Sequence, residues 1–106
     1  MLKKINRIGK KKEFERIKGE GELKQTPWFG VLVTKEAEGK KFGWIISKKV
    51  SKKAVERNRI KRIMAEAVRR NLEKVPEGRR AIFLVKKAML GKGVEEIEGE
   101  LMKCLS

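Results

Sequence analysis

The sequence predicts a small α+β fold, a two-layer sandwich in which helices cover part of one mixed sheet. The chain has 106 residues, which is enough for about one domain, and 40% of them are hydrophobic, which is enough for a core. Amphipathic segments and short apolar runs follow each other in the order helix, strands, helix, strand, helix. We therefore expect a single domain over residues 1–106.

The first element is predicted to be a short helix. Phe14 and Ile17 lie three residues apart within the otherwise polar segment 12–17, so a helix would place both on one side. Gly19 and Gly21 follow the segment and are expected to stop the helix.

Two strands are predicted after this helix. Residues 28–34 form a β-branched and aromatic run, and Pro27 precedes them at a position where a missing amide does little harm. Residues 36–40 have the composition of a turn, and residues 42–46 form a second apolar run. Because only a short turn separates the runs, we expect an antiparallel hairpin.

The longest helix is predicted in the basic middle of the chain, with Ser51 as its N-cap. Pro76 and Gly78 close this region. One side of this helix is an apolar stripe with spacings of three and four residues, which consists of Ile60, Ile63, Met64, Ala67 and Val68. Positive side chains cover most of the helix circumference outside this stripe.

A buried strand and a last helix are predicted for the C-terminal part. Residues 81–85 are continuously apolar, which is typical of a strand that lies inside a sheet and is buried on both faces. A helical crossover usually joins parallel strands, so residues 42–46 and 81–85 are expected to run parallel. Residues 94–105 form an amphipathic helix with the apolar positions Val94, Ile97, Leu101 and Leu105.

The charge of the chain predicts a polyanionic partner. Lys and Arg number 29 against 14 Asp and Glu, which gives a net charge of +15. Residues 1–18 carry eight cations and two anions, and residues 48–70 carry ten and two, so these blocks hold +14 of the +15. Within the second block only Glu56 and Glu66 can balance the cations. A solvated helix face explains this poorly, and nucleic acid is favoured over a membrane surface.

Several kinds of chemistry are excluded by composition. His is absent, so neither a Ser-His or Cys-His nucleophile pair nor a histidine zinc site can form. Cys104 is the only cysteine, which excludes an intrachain disulfide and suits a reducing cytosol. No apolar run is long enough to span a membrane, and the N-terminus does not resemble a secretory signal. We therefore expect a cytoplasmic protein.

One motif within the second basic block resembles a known family. The sequence Ser-Lys-Lys-Val at residues 47–50 is followed by Ala-Val-Glu-Arg-Asn-Arg-Ile-Lys-Arg at residues 54–62. Together they resemble the Arg-Asn-Arg signature of the bacterial ribonuclease P protein component and the strand end that precedes it. Residues 7–14, 29–33 and 81–87 stand where that family has its first helix, central strand and late strand, so the resemblance covers nearly the whole chain.

The resemblance implies a function in tRNA maturation. The ribonuclease P complex removes the 5′ leader of precursor tRNA, and its RNA subunit performs the hydrolysis, so the protein alone would not be catalytic. The implied partners are ribonuclease P RNA and precursor tRNA, with no membrane and no protein partner required. Mg²⁺ would act through the RNA subunit, and no protein-only metal site is expected. The implied fold is that of the second domain of ribosomal protein S5, with a left-handed crossover.

The basic block is predicted to contact the catalytic RNA. Asn58 leaves alternatives open, since its side chain could read a base edge, orient a neighbour, hold a hydrated metal or cap the local backbone. Arginine and lysine together suit a surface that follows a phosphate backbone. The predicted RNA-binding residues are Lys48, Lys49, Lys52, Lys53, Arg57, Asn58, Arg59, Lys61, Arg62, Arg69 and Arg70.

A cleft for the single-stranded leader is also implied by the resemblance, between the first helix and the sheet. Phe14 matches an aromatic position of that cleft, although it could equally pack in the core with Ile17. Trp28 and Trp44 are expected to be core or rim residues rather than base platforms. The predicted leader-binding residues are Phe14, Lys18, Leu32 and Lys86.

Several positions depart from the family pattern. Lys18 and Leu32 stand where aromatic residues are common, and Ala65 replaces a frequent arginine, so leader stacking is expected to be weaker than usual. Residues 50–53 form a connection that is one residue longer than the common form and lacks its glycine. The rival interpretation is a ribosome-associated protein that stabilises folded RNA without taking part in turnover, and composition alone does not exclude it.

Overall fold

The computed structural model describes residues 2–105 and confirms the α+β class. Three α-helices and four strands occur within this range, with short 3-10 turns between some of them. The mixed sheet has the strand order β1-β2-β4-β3. In chain order the elements are α1 (Lys11–Glu20), β1 (Glu22–Gln25), β2 (Phe29–Lys35), β3 (Lys41–Ile45), α2 (Ala54–Arg70), β4 (Arg79–Val85) and α3 (Val94–Leu105).

The predicted hairpin of residues 28–34 and 42–46 is wrong, because β4 lies between β2 and β3. β2 pairs antiparallel with β4, and β3 pairs parallel with β4, so Val31 and Trp44 flank Phe83 on opposite sides. The parallel arrangement of residues 42–46 and 81–85 and the interior position of the second run are therefore confirmed. The apolar residues 81–85 of β4 gain most from this interior position, where strands pair on both sides and helices cover both faces.

The core lies between one face of the sheet and the helices α2 and α3. Phe29, Val31 and Phe83 point to this face and are fully buried, and the rings of Phe29 and Phe83 pack edge to face with centroids 5.5 Å apart. The predicted apolar stripe of α2 points into the same core, with only Ile63 partly exposed. Contact between α2 and α3 completes this layer.

The other face of the sheet is covered only in part, by α1. This helix contacts β2 and β4, and Ile17 and Ile82 are fully buried there. α1 is longer than the predicted segment 12–17 and continues through Gly19, so Gly19 does not stop it. The strand β1 was not predicted, because its sequence Glu-Leu-Lys-Gln is polar and it forms the outer edge of the sheet.

The prediction that Ser51 caps α2 is wrong. The helix begins at Ala54 after Lys53, and no side chain caps its first amides. The Ser51 hydroxyl instead accepts a hydrogen bond from the Lys53 N–H at 3.1 Å and donates one to a Glu56 carboxylate oxygen at 2.6 Å. Ser51 therefore orders the connection that leads into the helix.

Candidate nucleic-acid interface

The N-terminal half of α2 presents a row of three cations and one amide without protein partners. Asn58, Arg59, Lys61 and Arg62 are exposed. Within residues 2–105 none of these four side chains takes part in a hydrogen bond or ion pair. Asn58 in particular does not bond the local backbone, so the cap alternative for this residue fails. Their polar groups are free to bind a ligand, and the cations favour an anionic one.

Arg57, in the first turn of the same helix, is placed differently from Arg59 and Arg62. It is half-buried, and its Nη1 donates a hydrogen bond to the Ser51 carbonyl oxygen at 2.8 Å. The bond holds the connection before α2 against the first turn of the helix. This connection carries four exposed lysines, which are Lys48, Lys49, Lys52 and Lys53. Arg57 therefore positions neighbouring cations in addition to supplying its own charge.

Arg69 and Arg70, at the far end of α2, are both engaged in ion pairs. Arg69 binds both carboxylate oxygens of Glu66 at 2.7 Å, and Arg70 contacts Glu66 at 3.4 Å and Glu98 of α3 at 3.3 Å. The hydrogen bonds from Arg69 lower the pKa of Glu66 to about 2, so this carboxylate stays charged at neutral pH. The charge of the α2 surface is thus uncompensated only toward the N-terminal end of the helix.

The four predicted leader-binding residues are not brought to one point. The ring of Phe14 lies over the backbone of β3, because a Cβ added to Gly43 would be only 2.9 Å from the ring. Leu32 is in register with Ile82 and Gly43, so Phe14 and Leu32 share one row of the sheet face. Phe14 is half-buried there, so its ring packs on the sheet and still keeps part of its surface accessible to a base.

Lys18 and Lys86 lie around this row rather than in it. Lys18 is exposed on α1, one helical turn after Phe14. Lys86 follows the end of β4, and its ammonium donates a hydrogen bond to the Thr26 carbonyl oxygen at 2.8 Å. This bond holds the Lys86 ammonium against the connection between β1 and β2.

The sheet face beside α1 contains further residues that sequence reasoning missed. The next row pairs Gly30, Leu84 and Ile45 across the sheet, and both Leu84 and Ile45 are only half-buried. Alternation along each strand puts them on the same face as Ile82, beside α1. The alternation can be read from the sequence, but which face α1 leaves open cannot. These residues and the row of Phe14 form an apolar surface, which we call the α1-side surface.

The two tryptophans lie at the edge of the core, which is one of the two positions expected for them. Trp28 and Trp44 are half-buried and pack against the edge of the core. The ring of Trp28 lies 5.2 Å from the Lys92 ammonium, which is within the range of a cation–π contact.

Neither a metal cluster nor a membrane helix is found in the described part of the chain. Within residues 2–105 no three acidic or cysteine side chains are grouped in a way that could hold a metal ion. Cys104 is buried, and burial raises the pKa of its thiol. None of the helices in this range is long and apolar enough to cross a membrane.

Comparison with known proteins identifies the family. A sequence model of the family Ribonuclease P matches residues 2–106. The ribonuclease P protein component of Nitratiruptor sp. is 32% identical over 104 residues, covering 98% of this chain and 93% of the relative. The corresponding protein of Clostridium botulinum strain Loch Maree is also 32% identical, with 96% and 93% covered.

Comparison of the fold with solved structures identifies the same family. The ribonuclease P protein of Thermotoga maritima superposes with a TM-score of 0.82 at 26% identity, covering 93% of this chain and 94% of that one. Three helices around one mixed four-stranded sheet therefore match a solved member of this family. This chain belongs to the ribonuclease P protein family.

Proposed function

We propose that this chain is the RNA-binding subunit of a cytoplasmic ribonuclease P and supports removal of the 5′ leader from precursor tRNA. The RNA subunit would perform the hydrolysis, with Mg²⁺ bound through its phosphates. The protein would bind the RNA subunit with the basic side chains in and before α2, and the leader on the α1-side surface. The observation that carries this proposal is the row of unpaired cations at the start of α2 in a chain of this family.

Several carboxylates are held in ion pairs with arginine, which favours a binding role for them over protein catalysis. Within the described residues, Glu13, Glu36, Glu66 and Glu98 each pair with an arginine. Burial alone would raise the pKa of Glu36, but the hydrogen bond from Arg16 and the charges of Arg80 and Arg16 outweigh burial and lower it. The pKa of Glu98 is lowered by the hydrogen bond from Asn71. A general acid needs a raised pKa, and a general base works best with a pKa near the operating pH, so Glu36, Glu66 and Glu98, whose pKa values are lowered, are poorly suited to either role.

Reconstituted cleavage tests the proposed function. Adding the chain to a cognate ribonuclease P RNA at low Mg²⁺ concentration should raise the cleavage rate of leader-bearing precursor tRNA above that of the RNA alone. The reason is that bound cations reduce phosphate repulsion that Mg²⁺ must otherwise screen. The Arg59→Ala/Arg62→Ala double variant serves as the control and should stimulate less. No gain from the wild-type protein would favour the ribosome-associated alternative.

Substitution of Phe14 tests leader binding. Stacking of a base on an aromatic ring is worth about 1–3 kcal/mol, so Phe14→Ala should weaken binding of leader-bearing precursor by about 5- to 150-fold. Binding of mature tRNA, which lacks the leader, should hardly change. Affinities of the holoenzyme for both RNAs provide the measurement.

A second variant separates stacking from packing at this position. Phe14→Leu keeps an apolar side chain over Gly43 but removes the aromatic face. If Phe14 binds the leader, the leucine variant should lose nearly as much leader affinity as the alanine variant while keeping its thermal stability. Equal weakening of precursor and mature tRNA would instead assign Phe14 to the fold.

A further inference from the structure

Arg80 of β4 lies at the centre of an ion-pair network that reaches α1. Its side chain is only 13% exposed, and it contacts carboxylates from two other parts of the chain. Its Nε lies 3.4 Å from a carboxylate oxygen of Glu13 in α1, and its Nη1 lies 3.6 Å from one of Glu36. The same Nη1 donates a hydrogen bond to the Glu38 carbonyl oxygen at 3.1 Å. One guanidinium therefore connects β4 with α1 and with the turn between β2 and β3.

A second arginine ties the same flank of α1 to this network. Arg16 donates a hydrogen bond to a Glu36 carboxylate oxygen at 2.6 Å, and the Thr34 hydroxyl donates to the same oxygen at 3.2 Å. Thr34 is in register with Arg80 on the neighbouring strand. The sheet is therefore polar beside this flank of the helix, whereas it is apolar on the side of the α1-side surface.

The ion-paired flank and the Phe14 flank of α1 lie on either side of Ile17. At about 100° per residue, Glu13 and Phe14 fall on opposite sides of Ile17 around the helix. Ile17 is fully buried against the sheet. With this contact alone, the helix could roll about Ile17 as a pivot. Ion pairs on one flank therefore determine where the aromatic ring lies on the other flank.

Burial makes the contact between Arg80 and Glu13 hard to give up. The Arg80 Nε is buried and has no hydrogen-bond partner within residues 2–105, so the Glu13 carboxylate balances its charge on that side. Loss of one partner of a buried ion pair leaves the other charge both desolvated and unpaired. The exposed pair of Arg69 and Glu66 differs, because water can replace a lost partner there. The buried pair therefore holds α1 against β4.

We propose that Arg80 is a positioning residue for leader binding, which holds Phe14 over Gly43 through its ion pair with Glu13. Arg80 lies across α1 from the α1-side surface, so it acts through the helix and not by touching the RNA. The inference rests on the proposed function, because it concerns the affinity of the α1-side surface for the leader. The position of the Phe14 ring can be measured in the free protein, which separates the two proposals.

The Hα resonances of Gly43 in NMR spectra report the position of the Phe14 ring. An added Cβ on Gly43 would lie 2.9 Å from the ring, so the ring current should shift these resonances. Phe14→Leu removes the ring and provides the reference without this shift. In Arg80→Met, which removes the guanidinium but keeps an apolar stem, the Gly43 resonances should move toward that reference.

Glu13→Gln tests the same ion pair from the side of α1. It leaves the contact of Arg80 with Glu36 in place, so it keeps the proposal testable if Arg80→Met fails to fold. The Gly43 resonances should again move toward the reference. The matched control is Glu15→Gln, the same change at an exposed residue of α1 that has no ion pair within residues 2–105. This control should leave the Gly43 resonances unchanged.

Leader affinity provides the second measurement. In the holoenzyme, Glu13→Gln should weaken binding of leader-bearing precursor about fivefold relative to mature tRNA, at the low end of the loss expected for base stacking. In a Phe14→Leu background the same substitution should cause no further loss, because the ring that the ion pair positions is absent. A merely structural role of Glu13 would weaken precursor binding equally in both backgrounds.

Two results would overturn the proposal. One is unchanged Gly43 resonances in both Glu13→Gln and Arg80→Met, and the other is equal weakening of precursor binding with and without the Phe14 ring. Failure of the proposed function has a different signature. A Phe14→Leu variant that binds the leader like the wild type rejects the leader surface, and with it any effect of Arg80 on leader affinity. Moved Gly43 resonances would still show that Arg80 positions the ring.

Discussion

Replacing Arg62 with alanine will lower RNA affinity about tenfold and reduce its salt dependence, whereas replacing Arg69 will leave the salt dependence nearly unchanged. A charged hydrogen bond contributes about 1.5 kcal/mol or more, which corresponds to roughly a factor of ten. Each lost phosphate contact should reduce the slope of log affinity against log salt by about 0.9. In the Arg59→Ala/Arg62→Ala double variant this slope should therefore be smaller by about 1.8.

The different expectation for Arg69 follows from its ion pair. Arg62 is exposed and, within residues 2–105, has no acidic partner, whereas Arg69 binds both oxygens of Glu66 at 2.7 Å. A phosphate would have to compete with that carboxylate, which its low pKa keeps ionised. Both arginines are exposed residues of the same helix, and they differ in whether a carboxylate already binds the guanidinium.

The measurement is a titration of ribonuclease P RNA with each variant at several salt concentrations. Circular dichroism of the free proteins should show that both remain folded, since neither side chain is buried. Equal changes of slope for Arg62→Ala and Arg69→Ala would show that the Glu66 pair opens on binding. In that case the RNA surface would extend along the whole of α2.

Replacing Gly78 with alanine will destabilise the fold by at least about 3 kcal/mol. Gly78 has φ of +84°, which costs an L-residue about 1–2 kcal/mol. A Cβ at this position would also lie only 1.8 Å from the Glu36 carbonyl oxygen. The Glu36 N–H donates to the Gly78 carbonyl oxygen at 2.8 Å, so the collision would break the contact that joins the end of β2 to the start of β4.

Gly91 provides the matched control for this substitution. It has the same φ of +84°, but nothing lies within 4 Å of an added Cβ. Gly91→Ala should therefore cost only the backbone term of about 1–2 kcal/mol. Urea denaturation of both variants gives the difference. If the two lose the same stability, the turn around Gly78 must relax freely, and its contact with Glu36 contributes little to the position of β4.

The helices were well predicted because their signals are local. The stripe of α2 and the last helix, 94–105, depend on spacings of three and four residues, and the structure has both. The boundary signals were weaker. Ser51 was expected to cap α2 but bonds Glu56 and Lys53 instead, because the helix begins only at Ala54 and Lys53 stands at the cap.

Strand pairing could not be predicted in the same way. The short turn between β2 and β3 favoured a hairpin, yet β4 separates them. The short turn favours direct pairing of β2 with β3, whereas burial of the apolar residues 81–85 favours placing β4 between them. Only the complete sheet shows that burial of β4 prevails. The strand β1 gave no apolar signal because it is an edge strand with polar residues.

The candidate site was predicted in part. The sequence identified the cations of α2, but it counted only the acids of that segment. Glu98 of α3 joins Arg70 from 28 residues away, and Arg7 of the N-terminal segment lines the same surface cavity as Arg62 of α2. Whether these residues bind RNA as predicted is decided by the experiments above.

The sequence by itself determined the α+β class, the helices and the excess of positive charge, because composition and short-range periodicity carry these properties. The tertiary structure alone decided that β2 and β3 do not pair with each other, which arginines are neutralised and where a cavity opens. These depend on contacts between residues that are distant in the chain, such as Arg70 with Glu98 and Arg7 with Phe42. No local pattern specifies such contacts, since packing of the whole chain selects them.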